Sequence, residues 1–141
     1  MGAQFGSYSP VVQLGVTWTE TITLTDEAGD AIDLTGKSVR AQLRPVYPLR
    51  DGDTAEPEPV LEVTTAGYYD TAPAWPVVEG FAISDPTDGT IAMTVDVDDV
   101  WRLSPDNAKR AYRWSLVLED AGGTVVPVVA GKVSVLPAVT L

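Results

Sequence analysis

Asp96, Asp98 and Asp99, in DVDDVWRLS, have the residue type and spacing to approach a calcium ion. A calcium loop needs alternating oxygen donors, a glycine at its sharp turn and a distal bidentate Glu. DVDDVWRLS has neither the glycine nor the Glu, so the run reads as a solvated acidic turn whose first Asp caps a short helix. Asp51, Asp53, Glu56 and Glu58 invite the same thought and receive the same reading, a solvated acidic stretch. Glycoside hydrolysis needs two carboxyl groups about 5–9.5 Å apart across a cleft. The 20 Asp and Glu residues offer many pairs, but none lies in an apolar stretch that would raise its pKa. The chain contains no His and no Cys. That removes His-activated Ser or Cys nucleophiles, histidine and thiolate metal sites, disulfides and a histidine pH switch. The expectation is a protein that is not an enzyme, with no catalytic, metal or cofactor-binding residues.

Aromatic side chains are the other candidates. Trp18 and Trp114 fall on the apolar side of alternating stretches and read as core, and Trp101 reads as a plug at one end of the fold. Trp75, between Pro73 and Pro76, reads as exposed. With Tyr68 and Tyr69 it lies in AGYYDTAPAWPVVEG, residues 66–80, longer than connections in compact domains usually run. Such a loop can anchor a protein contact or stack on a sugar. Phe5 and Tyr8, in the small-residue opening MGAQFGSYSP, are the aromatics of an extended arm. Phe5, Tyr8, Tyr68, Tyr69 and Trp75 are therefore the expected partner-binding residues.

The elements that would position them are strands. Residues 16–25 alternate, with Trp18, Ile22 and Leu24 on one side and threonines on the other, Glu20 interrupting the apolar side at a rim. DEAGD turns the chain, and AIDLTG, residues 31–36, makes a corner. There Ile32 and Leu34 dip inward, Asp33 and Thr35 bond nearby amides, and Gly36 permits the reversal. Residues 37–44 form the next strand, with Val39, Ala41 and Leu43 inward, and Pro45 ends it. After an acidic, proline-rich excursion over 45–59, a short strand follows at 60–64, with Leu61 and Val63 inward. Phe81 and Ile83 resume the alternation, and DPTDG turns into a strand carrying Ile91, Met93 and Val95. Residues 96–104 hold one helical turn. Residues 110–119 are a strand with Tyr112, Trp114, Leu116 and Leu118 inward, DAGG is a hairpin turn, and 124–136 completes the sheet with a bulge at Gly131.

About seven strands without crossover helices imply an all-β, antiparallel Greek-key (Ig-like) β-sandwich with at most one short helix. The domain reading is an arm over 1–15 and one domain over 16–141 with a long excursion at 45–80. At 141 residues the chain can bury a core without staples. A net charge of −11 argues against nucleic acid, and no apolar run approaches the ~20 residues of a membrane helix. MGAQFGSYSP lacks the charged-then-apolar order of a secretory leader.

VTWTETITLTDEAG, AIDLTG, KSVRAQLRP, DPTDGTIAMTV, AYRWSLVLED with its AGG turn, and GKVSV together resemble small virion domains of tailed bacteriophages. A polar strand, then D-L-T-G, then a strand is similar to the N-terminal attachment domain of upper baseplate proteins and to stand-alone tail and head accessory proteins. Here the D-L-T-G signal is Asp33 to Gly36. The departures are the 45–59 excursion and the 66–80 aromatic loop. The resemblance implies a virion structural protein of the tail or baseplate, present in multiple copies and bound to other virion proteins. The alternatives are a capsid (head) decoration protein and a carbohydrate-binding adhesion module.

Overall fold

The computed structural model describes residues 6–46 and 58–138. They form nine strands: β1 (Gly6–Ser7), β2 (Val11–Gln13), β3 (Trp18–Thr23), β4 (Ser38–Pro45), β5 (Leu61–Thr65), β6 (Val77–Ala82), β7 (Thr90–Val95), β8 (Arg110–Glu119) and β9 (Val125–Leu136). A four-residue helix α1 (Val97–Val100) runs into a 3-10 turn over Trp101–Leu103. The fold is all-β, as composition and alternation imply. The strands follow one hydrogen-bonded path, β1-β9-β8-β4-β5-β6-β7-β3, with β2 also on β9, and the sheet curls into a nearly closed, barrel-like shape.

Alternation decides what lies inside. Val39, Ala41 and Leu43 of β4, Ile91, Met93 and Val95 of β7, and Tyr112, Trp114, Leu116 and Leu118 of β8 are all buried in one core. Each fully buried Leu, Ile or Val contributes about 1.5–3 kcal/mol relative to exposure.

Three features depart from the sequence reading. Nine strands stand where about seven were expected, and three of the pairings, β1–β9, β2–β9 and β5–β6, are parallel. The stretch read as an extended arm over 1–15 supplies two of those strands: from residue 6 onward it lies along β9. A run such as GSYSPVVQ is too short and too polar to signal a strand by itself; it is recruited by the open edge of β9. In addition, the aromatic loop ends at Pro76, because Val77–Ala82 is a strand beside β5. Gly80 disguises β6 in the sequence, yet a Cβ there would strike the carbonyl oxygen of Thr94 and approach Val63.

The expected bulge also lies elsewhere. Register shifts where Leu116 pairs Val129 and Val117 pairs Pro127, leaving Val128 as the extra residue, so that Val128 and Val129 are both buried. Gly131 has a different duty: any Cβ there would collide with the Tyr8 carbonyl.

The corner forms at the expected residues, except that the Thr35 hydroxyl bonds the Asp33 carboxylate and not an amide. Asp33 Oδ1 accepts from the Thr35 amide at 2.9 Å and from Thr35 Oγ1 at 2.6 Å, and Gly36 takes φ 73°. Asp85 repeats the device with Thr87, at 3.0 and 2.7 Å. The two corners meet where the Leu34 amide donates to the Pro86 carbonyl at 2.6 Å.

Closure of the curled sheet rests on an aromatic seam. Trp114 Nε1 donates to the Tyr8 carbonyl at 2.8 Å, and Trp18 Nε1 donates to Glu20 Oε1 at 3.0 Å. The Tyr8 hydroxyl donates to Glu20 Oε2 at 2.5 Å, tying the segment after β1 to β3, the strand at the far end of the path. The rings of Tyr8 and Trp18 stand 6.2 and 6.3 Å from that of Trp114, within the range of favourable tilted aromatic pairs. Glu20, which interrupts an apolar side, is thus the acceptor that satisfies both donors.

Candidate functional site

On β5, Leu61 and Val63 face the core, which turns Glu62 and Thr64 to the outer surface of the sheet, where polar residues normally meet water. Both are nevertheless buried, at 0% and 1% exposure. The chain between β5 and β6 folds back over them. Gly67, at φ 74°, turns the chain, and its amide donates to the Glu79 carboxylate. The Glu62 amide holds the far end of the loop through the Pro76 carbonyl at 3.0 Å.

Beneath the loop lies a polar and aromatic cluster. Tyr68 and Tyr69 meet edge to face with centroids 4.8 Å apart, and the Arg40 guanidinium lies 5.5 Å from the Tyr68 centroid, within cation–π range. Arg40 is opposite Thr64 and Gln42 opposite Glu62 in the β4–β5 register. Gln42 Nε2 donates to Glu62 Oε2, and Gln42 Oε1 accepts from Arg44 Nη2 at 2.7 Å. Arg40 Nε, Glu62 Oε1 and Thr64 Oγ1 are buried without a hydrogen-bond partner. Burial pushes the Tyr69 hydroxyl up to about 12, with the Glu62 carboxylate beside it adding to the effect. Burial raises Tyr68 as well.

Thr64, Tyr68, Tyr69, Ala72, Val77 and Glu79 line a cavity of about 200 Å³ that opens to solvent. It offers aromatic surface, hydroxyls and one carboxylate, an arrangement suited to holding a small polar molecule. Elsewhere on the sheet, Arg44, Arg113 and Lys132 stand opposite one another on β4, β8 and β9.

The residues singled out from sequence divide between two places. Tyr8 sits in the seam with its side chain 42% exposed. Tyr68 and Tyr69 form the loop cluster, half-buried against their own sheet. Trp75, read as exposed, is half-buried, and its Nε1 is enclosed without a partner. Phe5 lies outside the described residues, as do Asp51, Asp53 and Glu56. The acidic turn acts as a cap: Asp96 Oδ2 accepts from the Asp98 amide, and Asp99 pairs with Arg102 at 3.0 Å. Sequence reasoning missed Arg40, Glu62, Thr64 and Glu79. The available signal was a long tyrosine-bearing connection directly after LEVTT, since a loop that carries two rings must lay them on some surface.

No protein-family model and no curated protein matches the chain.

Proposed function

We propose that the protein is a non-enzymatic structural component of a tailed-phage virion, an accessory of the tail or baseplate that grips a repeated partner in multiple copies. The observation that carries this reading is the outward edge of the N-terminal segment. Tyr8 and Leu14 donate their amides to Ala130 and Leu136, and Pro10 accepts from Ser134, each at 3.1 Å. In a parallel ladder these alternate residues face the neighbouring strand, so the backbone groups of Ser9, Val11 and Gln13 turn the other way. Val11 and Val16 stand 61% and 54% exposed on the same segment. An edge strand flanked by exposed valines is a template for strand addition by another chain.

The corner at Asp33–Gly36, which carries the resemblance to attachment domains, supports the same reading through its geometry. The expected two-layer Greek-key arrangement belongs to it too: the Trp18–Trp114 contact joins β3 to β8 across the core, as facing layers of a flattened barrel would be joined. Repetition supplies the strength of attachment, because modest contacts made simultaneously sum by avidity.

The test is incorporation into particles. Val11→Lys combined with Val16→Lys leaves the core untouched and should reduce incorporation at least tenfold, while an affinity label on the wild-type chain marks the tail end of the particle. Full incorporation of the double variant would remove the edge from the account. Labelling of the capsid face would make the protein a head decoration component instead.

A further inference from the structure

We infer that the cavity beneath the tyrosine loop is a binding site for a single neutral, polyhydroxylated ring, a monosaccharide unit. This goes beyond the assembly reading, which uses the N-terminal edge, and it can fail without affecting that reading. The independent pointer to a ligand is Thr64: it is 1% exposed, it lines the cavity, and its hydroxyl has no partner. A buried hydroxyl left unpaired costs free energy that a ligand hydroxyl would recover.

The chemistry of the lining selects the class. Among the lining residues Glu79 supplies an acceptor, and the hydroxyls of Thr64, Tyr68 and Tyr69 can donate or accept. The Glu79 carboxylate disfavours an anion, and because it already accepts from the Gly67 amide it meets a hydroxyl more readily than a bare cation. Mixed donors and acceptors beside tyrosine rings and the apolar Val77 suit hydroxyl groups around a ring with C–H faces. The volume, about 200 Å³, is below the ~300–1,000 Å³ of sites for drug-sized molecules and fits one sugar residue. This is a partly open slot beside the loop, distinct from an exposed tryptophan platform, because Trp75 is half-buried and does not line it.

The test uses saturation-transfer NMR on the full chain with a panel of neutral monosaccharides, N-acetylated hexosamines included, at millimolar concentration. At least one sugar should give a transfer signal. Thr64→Val, which keeps the shape and removes the unpaired hydroxyl, should weaken its binding about tenfold, as loss of one hydrogen bond does, without lowering the melting temperature. Ala72→Phe, at an exposed position on the edge of the cavity, should abolish the signal while the far-ultraviolet circular dichroism stays unchanged. No transfer from any sugar in the panel, or binding unaffected by both substitutions, would overturn the inference.

Discussion

Tyr69 shows how the loop changes the chemistry of a single residue. Its hydroxyl is desolvated and faces the Glu62 carboxylate, so the neutral phenol is favoured up to about pH 12 in the folded protein, against 10.0 for an ordinary tyrosine. A folded-state pKa above the unfolded one gives stability that is complete below pH 10 and is lost as the pH rises towards 12. Spectrophotometric titration should therefore show a late phenolate step that Tyr69→Phe removes; an unchanged titration would place the hydroxyl in water. Glu62 is the other sensitive residue. Glu62→Ala leaves the half-buried Arg40 without its neighbouring carboxylate and strips Gln42 of its acceptor. Loss of that hydrogen bond inside a buried polar cluster should cost roughly 1–3 kcal/mol in urea unfolding. A loss within error would mean that water reaches the cluster freely.

At the scale of elements, the corners and the N-terminal strands make separate predictions. Asp33 and Asp85 accept from the hydroxyls and amides of Thr35 and Thr87, and these bonds hold both carboxyls below the usual 3.8. Depressed folded-state values give stability present above the unfolded pKa and lost as the pH falls through the folded one. The melting temperature should thus drop on acidification below about pH 4, and the Asp33→Asn, Asp85→Asn double variant should flatten that drop. Gly131→Ala tests how β1 and β2 attach. The added Cβ meets the Tyr8 carbonyl, so the segment must lift and Trp114 loses its acceptor, at a cost of about 1–3 kcal/mol with a shift in tryptophan fluorescence. Unchanged stability and emission would show that the seam does not depend on that close approach.

Legibility in the sequence followed the strength of local periodicity. β3, β4, β7 and β8 alternate over six or more residues and could be read with their inward faces. The DLTG corner could be read from the self-bonding habit of Asp and Thr. β1, β2 and β6 were hidden because they are short, or interrupted by glycine, and exist through pairing with strands distant in sequence. The buried polar cluster was hidden for a related reason: Glu62 and Thr64 carry the outward face of a strand, and only the fold puts the loop over them. Tyr68 and Tyr69 stand together as neighbours in sequence must, but the surface they cover is not legible there.

At the scale of the whole molecule, the account joins a small acidic β-domain, closed by an aromatic seam, to a partner strand along its N-terminal edge. The net charge of −11 keeps separate copies apart in solution, so association should require the partner's complementary surface instead of self-assembly. The most direct measurement is quantitative mass spectrometry of purified, nuclease-treated phage-like particles released by cells that carry the gene for the chain. The account predicts the protein in those particles at several copies or more per particle, retained through high-salt washing. Its absence from particles while abundant in the lysate would contradict the central claim.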